Sequence, residues 1–523
     1  MRVTLYQCKN FDYWQHDLEA ALIKLGFNVS FLRSGIFAYH KKTSTKVRGI
    51  EQADGFQLIR EPIGVSSWAL GIKDHRKYFE SKTGDAVKQS EQVLFGGNPQ
   101  KYPIPIERVK ACVELGAQLG EVLEGFSADS ILPDSFESAV HQRNHFILGN
   151  GQVPIEANIG RLLKFNGFLE KPECCELTLL ADDPNDSIVL KYANNLERGL
   201  RNYGLKGSVT SKSFDVGLSM SKENLSSGKV CLLALSGSRG TSLEPKELAV
   251  MDHLDGCEVP YRMFSINNPE LFWSSLDQVG VLAMLAGGIP YRMNLNWPAN
   301  RLIYSVGVDL GHPLHAGDSR LAVSLMAPDG QHINTFVRSQ KRDETADSEN
   351  LFRMLRETSS LAKEHAGKRS IEFLVLRDGR RNAGESLRGY LDNLSPHMTL
   401  VDVSKRVNAY AYSPSSFAPG VCGDVLHFNK GGATLAITAP SVTGAQIPML
   451  RKIRIDNGWD GLQLGREKVA EVICSLAFSP ALGFKPHGNP GPVYWADGAA
   501  SISDQNCLFR GIAEIKKELL KSK

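Results

Sequence analysis

With 523 residues the chain is too long for one ordinary domain and suggests three or four. Hydrophobic residues make up 42% and charged residues 22%, the balance of a soluble globular protein with material for several cores. A net charge of only +3 excludes a globally basic nucleic-acid binder, so any such partner must be met by local patches. The nine cysteines have no zinc-ligand spacing: Cys174 and Cys175 are adjacent and no CxxC occurs, which fits reduced thiols in the cytoplasm. The opening MRVTLYQCKNFDYW lacks an apolar signal-peptide core. No run approaches the ~18 apolar residues of a membrane span, so no membrane association is expected.

In chain order, VTLYQC (3–8) reads as a strand and HDLEAALIKLGF (16–27) as an amphipathic helix ended by Gly26. KKTSTKVRG (41–49) and SKTGDAVKQSEQ (81–92) read as polar loops, and residues 105–126 carry apolar side chains at helical spacing. Residues 1–165 are otherwise an α/β segment of unassigned role. From about 170 the pattern becomes regular. CELTLLADD (175–183), KVCLLALSG (229–237) and EVPYRMFSIN (258–267) read as strands, separated by helices over 187–204 and from about Leu243 to Leu254, with a further helix over 271–288. Such alternation implies a parallel sheet with helices on its faces. Thr241 and Glu244 have capping-box spacing, and the loop Ser236–Ser242 offers backbone N–H groups at a helix start, a natural anion site of low specificity.

Tyr304 to Arg338 reads as a three-strand meander: IYSVGVDLG (303–311), RLAVSLMA (320–327) and HINTFVRS (332–339), with PDGQ (328–331) as an Asp-Gly hairpin turn. A helix over 349–367 and a buried strand SIEFLVLRDGR (370–380) follow. TLVDVSKR, TLAITAP and MLRKIRID supply further strands up to about 456, and 464–479 is a helix. Asp497 falls near the start of a terminal helix. A carboxylate inside an apolar strand is costly unless something pairs with it, and a cation is the obvious partner for Asp309. Three acids in VGVDLGH (306–312), LVLRDGR (374–380) and PGPVYWADGAA (490–500) suit two-metal phosphodiester chemistry, in which carboxylates from different elements hold Mg²⁺ or Mn²⁺. Against this, Asp378-Gly379 and Asp497-Gly498 taken singly are ordinary turn pairs. DLG after a strand also opens the phosphate hairpin of sugar kinases and heat-shock ATPases, but the second hairpin and the adenosine loop are not found.

Those three motifs, in that order, resemble the PIWI domain of Argonaute proteins, and LAMLAGGIPYRM (282–293) is similar to the segment that closes the family's MID domain. The resemblance covers roughly Glu173 to the C-terminus. It implies a Rossmann-like MID domain (166–300) that binds a guide's 5′ end and a ribonuclease-H-like PIWI domain (301–523). The α/β N-terminal segment (1–165) is too short for both an N domain and a guide 3′-end-binding PAZ domain, which points to a reduced or PAZ-lacking prokaryotic form. It implies an acidic tetrad of Asp309, Asp378 and Asp497 with a mobile glutamate finger. Glu344, midway between the first two, is the candidate for the finger, with Asp343 and Glu349 as substitutes. His312 is expected to be structural.

The implied partners are a short guide nucleic acid and a complementary target strand. The family's 5′-phosphate grip departs here: Glu247 and Met251 stand where a Tyr-Lys pair belongs, Arg262 replaces Gln, and Leu285 replaces Lys. Arg262, Lys246, Arg239 and Tyr261 are the candidates for holding the guide's 5′ end. The expected function is guided endonuclease cleavage with Mg²⁺ or Mn²⁺. The alternative is a catalytically silent short Argonaute that signals to an effector protein.

Overall fold

The computed structural model describes residues 1–8, 14–32, 35–44, 50–62, 68–81, 83, 104–156, 158–221, 229–235, 244–257, 261–265, 279–280, 282–284, 286–298, 301–312, 318–341, 343, 345–379, 384–404, 407–428, 433–438, 450–457, 464–479 and 488–501. These divide into two compact units, residues 1–140 with 403–454, and residues 141–402 with 455–523.

In the second unit the apolar run ending at Asp309 forms the strand Leu302–Gly311. Asp318–Met326 pairs with it antiparallel and His332–Lys341 pairs antiparallel with that in turn, so the expected meander is present. Gly330 takes φ +77° in the PDGQ turn, a backbone region that glycine enters without penalty. The chain then crosses through the helix Ser348–Ala366, capped by the Asp347 carboxylate on the Glu349 and Asn350 amides, and returns as Ile371–Asp378, parallel to Leu302–Gly311. Met398–Ser404 lies beyond it. Alternation sends Tyr304, Val306 and Val308 into one core with Leu321, Leu351, Met354, Leu355 and Phe373. At roughly 1.5–3 kcal/mol for each fully buried large apolar side chain, this core outweighs any single polar contact in holding the sheet to its helix.

The same unit holds a parallel sheet in the order Gly207–Ser213, Cys175–Ala181, Lys229–Leu235, Tyr261–Ser265. Ser187–Asn202 links the first two in sequence, its N-terminus capped by Asp186. Pro245–Gly256 precedes the fourth strand, close to its expected place. The edge strand GSVTSKS was not expected, because Val209 is its one apolar side chain and there is no alternation to read. Most of the helix expected over 271–288 lies outside the described residues, although 279–280 and 282–284 are helical.

The first unit is a seven-stranded sheet ordered Asn28–Leu32, Gly35–Tyr39, Ile50–Pro62, Trp68–Glu80, Leu5–Cys8, Phe126–Ser130, with Thr43–Ser44 paired to Ile50–Pro62. The helices Trp14–Lys24 and Pro105–Val122 pack on one face through Leu18, Leu22, Val109, Cys112, Leu115 and Leu119. The strands Val425–Phe428, Ala433–Ile437 and Leu450–Asn457 pair antiparallel, and residues 403–454 cluster with the N-terminal segment. Within the polar stretch 41–49, Thr43–Ser44 is a strand; most of 81–92 lies outside the described residues.

Candidate active site

Gly307, Asp309 and Gly311 share one face of their strand, opposite the face that buries Val306 and Val308. The first and last of these have no side chain for a reason. A Cβ on Gly307 would overlap the Pro492 carbonyl oxygen, and one on Gly311 would stand 2.5 Å from the Ala500 oxygen. The helix Gly491–Ser501 therefore lies directly on the strand, and Ala496, Ala499 and Ala500 pack on Ala322, the residue paired with Asp309. Asp309 is only 4% exposed, and its Oδ1 accepts the Leu310 amide at 2.9 Å.

Asp378 reaches the same place through register. Val308 pairs in parallel with Arg377, so Asp309 and Asp378 follow side by side on one face, their strands about 4.8 Å apart. Asp378 is half-buried at its strand end, and Gly379 turns the chain away at φ +73°. Behind it, Arg377 and Glu385 form a bidentate pair of 2.7 and 2.8 Å, with both side chains nearly or wholly buried and Tyr390 Oη donating to Glu385. Burial opposes the Arg377 charge. The Glu385 hydrogen bonds and charge, with smaller contributions from Tyr390 and Asp309, more than offset this and push its pKa up.

Asp497 sits mid-helix in Gly491–Ser501 rather than near a helix start, so Asp497-Gly498 is not a turn. Glu344 lies outside the described residues. Of its substitutes, Asp343 and Glu349 are exposed, and Glu349 belongs to the first turn of its helix. The described residues on either side of Glu344 are hydrogen-bonded. Ser319 Oγ bonds the Asp343 backbone at 3.2 Å and meets His312 Nδ1 at 2.8 Å, while Gln340 bonds the Thr345 carbonyl and the Asp347 amide. His312 thus ties the first strand's end to the second strand. Among the described residues no three His, Cys, Asp or Glu side chains are grouped to hold a metal ion. Register brings Asp309 and Asp378 together, and among the described residues no third ligand is grouped with them.

The candidates for the 5′ end fare unevenly. Lys246, in the first turn of Pro245–Gly256, pairs at 3.2 Å with Asp182 beyond the strand Cys175–Ala181, both side chains largely exposed. Tyr261 and Met251 are buried in one core with Val250 and Leu254, so Tyr261 does not line a surface. Glu247 is also buried, and its carboxylate accepts the Glu244 amide at 2.8 Å, closing the helix start. Arg239, Thr241 and Leu285 lie outside the described residues; Arg262 is on the strand Tyr261–Ser265.

No family model and no curated protein sequence matches the chain. Solved structures do. The Argonaute of Marinitoga piezophila in complex with a 5′ OH guide RNA matches with TM-score 0.67 and 11% identity, over 95% of this chain and 86% of that one. The Clostridium butyricum Argonaute bound to a guide DNA and a target DNA matches with TM-score 0.65 and 12% identity, over 96% and 87%. Drosophila Piwi matches with TM-score 0.64 and 11% identity, over 94% and 83%. The chain has the Argonaute fold. The expected fold class, a Rossmann-like sheet followed by a ribonuclease-H-like one, is the observed one. Coverage this high leaves little of the N-terminal segment outside the Argonaute likeness.

Sequence reasoning missed Glu385 at the site. GES comes shortly after the Asp-Gly pair with no periodic signal, and only tertiary packing brings its carboxylate onto Arg377. The Gly307 and Gly311 spacing was the available signal for the seated helix.

Proposed function

We propose that the protein is a nucleic-acid-guided endonuclease that cleaves the strand paired to a short guide by divalent-metal phosphodiester hydrolysis. The observation that carries this reading is the parallel register that sets Asp309 beside Asp378, facing the helix of Asp497. Mg²⁺ or Mn²⁺, hard cations that prefer carboxylate oxygens, fits this donor set, and Asp309, Asp378 and Asp497 would hold it with Glu344 completing the tetrad. Such an ion, when bound, activates water and steadies the leaving oxygen. The protein's own part is to keep the Asp309 carboxylate buried and oriented by the Leu310 amide, with the Arg377 charge nearby. The structures of similar fold hold guide RNA with target DNA, or guide DNA with target DNA, which supports a guide and target strand as partners here. Base pairing would then supply sequence specificity while the protein reads backbone geometry.

A second reading is a silent Argonaute that binds guide and target and signals to an effector protein. No helix among those residues is long and apolar enough to cross a membrane, and we propose a cytoplasmic location. One experiment separates the two readings. Nucleic acid that co-purifies with the protein is sequenced, and matched guide–target pairs of DNA and RNA are incubated with it and Mn²⁺. Cleavage that disappears in Asp309→Asn and Asp378→Asn, with guide binding retained, is expected. Binding without cleavage by the unaltered protein would sink the endonuclease and leave the silent reading.

A further inference from the structure

We propose that the Phe37–Phe79 end of the N-terminal sheet's face turned away from its two helices, beyond the part that residues 407–411 cover, binds single-stranded nucleic acid, with Lys42 and Lys77 meeting backbone phosphates and Tyr39 and His75 stacking on bases. Strand alternation divides the sheet cleanly. Ile36, Ala38, Leu58, Leu70 and Ile72 point into the core beneath the helices. Phe37, Ala53 and Phe79 form a separate small core on the other face, with Tyr39 packed against it. Phe37 and Phe79 are buried, whereas Tyr39 and Lys77 are half-buried and His75 is exposed.

Two ammonium groups rest on those rings. Lys42 Nζ stands 4.1 Å from the Phe79 centroid, and Lys77 Nζ stands 5.4 Å from Phe79 and 5.8 Å from Phe37. Cation–π attraction holds both stems in place. Among the described residues neither lysine has an ion-pair partner, although Glu51 lies across from Phe79 on the same face. Burial, and then the charge of Lys42, hold the Lys77 pKa below its usual value. Two like charges held above one aromatic core, neither with an ion pair among the described residues, lower their energy by taking up an anion.

The rings say which anion. Tyr39, Gly55 and His75 form one row across three strands, and Gly55 puts no side chain between the two rings. Tyr39 packs at 5.4 Å on Phe37, and His75 stands edge-on to Phe37 at 5.6 Å, so both are braced from below. Rings beside cations are what a single strand uses, bases stacking while phosphates meet the charge. An acidic polypeptide would satisfy the lysines but leave the rings unused. This surface is separate from the Asp309 site, and its test does not depend on cleavage.

The test uses the full chain with short oligo(dT) and oligo(U), without guide, and measures binding by fluorescence anisotropy across NaCl concentration. Lys42→Gln/Lys77→Gln is expected to reduce the slope of log K against log salt by about 1.4, two phosphates at ~0.7 each. Ultraviolet cross-linking is expected to capture the peptide containing Tyr39 in the unaltered protein and to lose it in that variant. The charge-preserving Lys42→Arg/Lys77→Arg keeps both readouts, which separates lost charge from lost fold. An unchanged slope in the Gln variant, no cross-link at Tyr39, or displacement by poly-glutamate as effective as by oligonucleotide would each overturn the proposal.

Discussion

Replacing Gly307 by alanine tests whether the strand of Asp309 seats the helix that carries Asp497. A Cβ there overlaps the Pro492 carbonyl oxygen and stands 2.7 Å from the Val493 amide nitrogen. Packed heavy atoms sit ~3.5–4.0 Å apart, so the helix start must retreat by about 1 Å. That movement pulls on the buried hydrogen bond from Ser324 Oγ to the Pro492 carbonyl, 2.5 Å long. Overpacking costs about 1–3 kcal/mol, and a weakened buried hydrogen bond adds about 1, for about 2–4 in all. Hydrogen exchange read by mass spectrometry over residues 491–501 is expected to quicken roughly thirtyfold or more, with other peptides little changed. On the proposed endonuclease reading, a group at the site displaced by ~1 Å can cost ~100-fold in rate, so cleavage should fall by about that factor. Exchange in 491–501 matching the unaltered protein, together with normal cleavage, would refute the reasoning. Ser324→Ala, which removes only the hydroxyl, should cost about 1 kcal/mol.

Glu385→Ala leaves the buried Arg377 without its counter-ion and is expected to cost about 3–5 kcal/mol in urea denaturation, most of it recovered in Arg377→Met/Glu385→Ala. Burial holds His141 at a pKa of about 4, and its Nδ1 has no hydrogen-bond partner among the described residues. The unfolded chain takes up this proton near 6.5 and the folded one only near 4, so stability should fall by up to ~3 kcal/mol as pH drops across that window, and should not depend on this group above it. His141→Phe, which can still stack on Phe478, should remove that part of the acid sensitivity in denaturation midpoints. With Lys246 already paired to Asp182 and Glu247 used as a cap, otherwise identical guides with 5′-hydroxyl and 5′-phosphate ends should differ less than ~tenfold in affinity, equivalent to about 1.4 kcal/mol. A larger preference for phosphate would show that cationic groups other than Lys246 hold that end.

The meander was legible because its signals are local: alternation, an Asp-Gly turn and an acid in an apolar run. The hairpin Ile50–Pro62/Trp68–Glu80 was not, although it is the longest pairing in the first unit. Its strands interleave Lys73, His75, Arg76 and Lys77 with apolar residues on both faces, so no clean two-residue period survives. Glu247 was read as a misfit in a phosphate pocket. Its spacing to Glu244 also suits a helix cap, and the described contact is the cap.

What the sequence alone determined is the local chemistry of the Asp309 strand: which face is apolar, that Gly307 and Gly311 flank the acid on the other face, and that two further acids end or follow apolar runs. Those properties live in a few consecutive residues, where side-chain period and backbone sterics decide the outcome. Only the tertiary structure decided that Asp378 stands beside Asp309, because a one-residue slip in the parallel register would have sent it to the opposite face. It also decided that Glu385 closes on Arg377, that Tyr261 is core, and that residues 403–454 cluster with residues 1–140. Each of these outcomes depends on contacts between residues distant along the chain or brought together by loop closure, which are set by packing and burial across the whole unit rather than by local propensity.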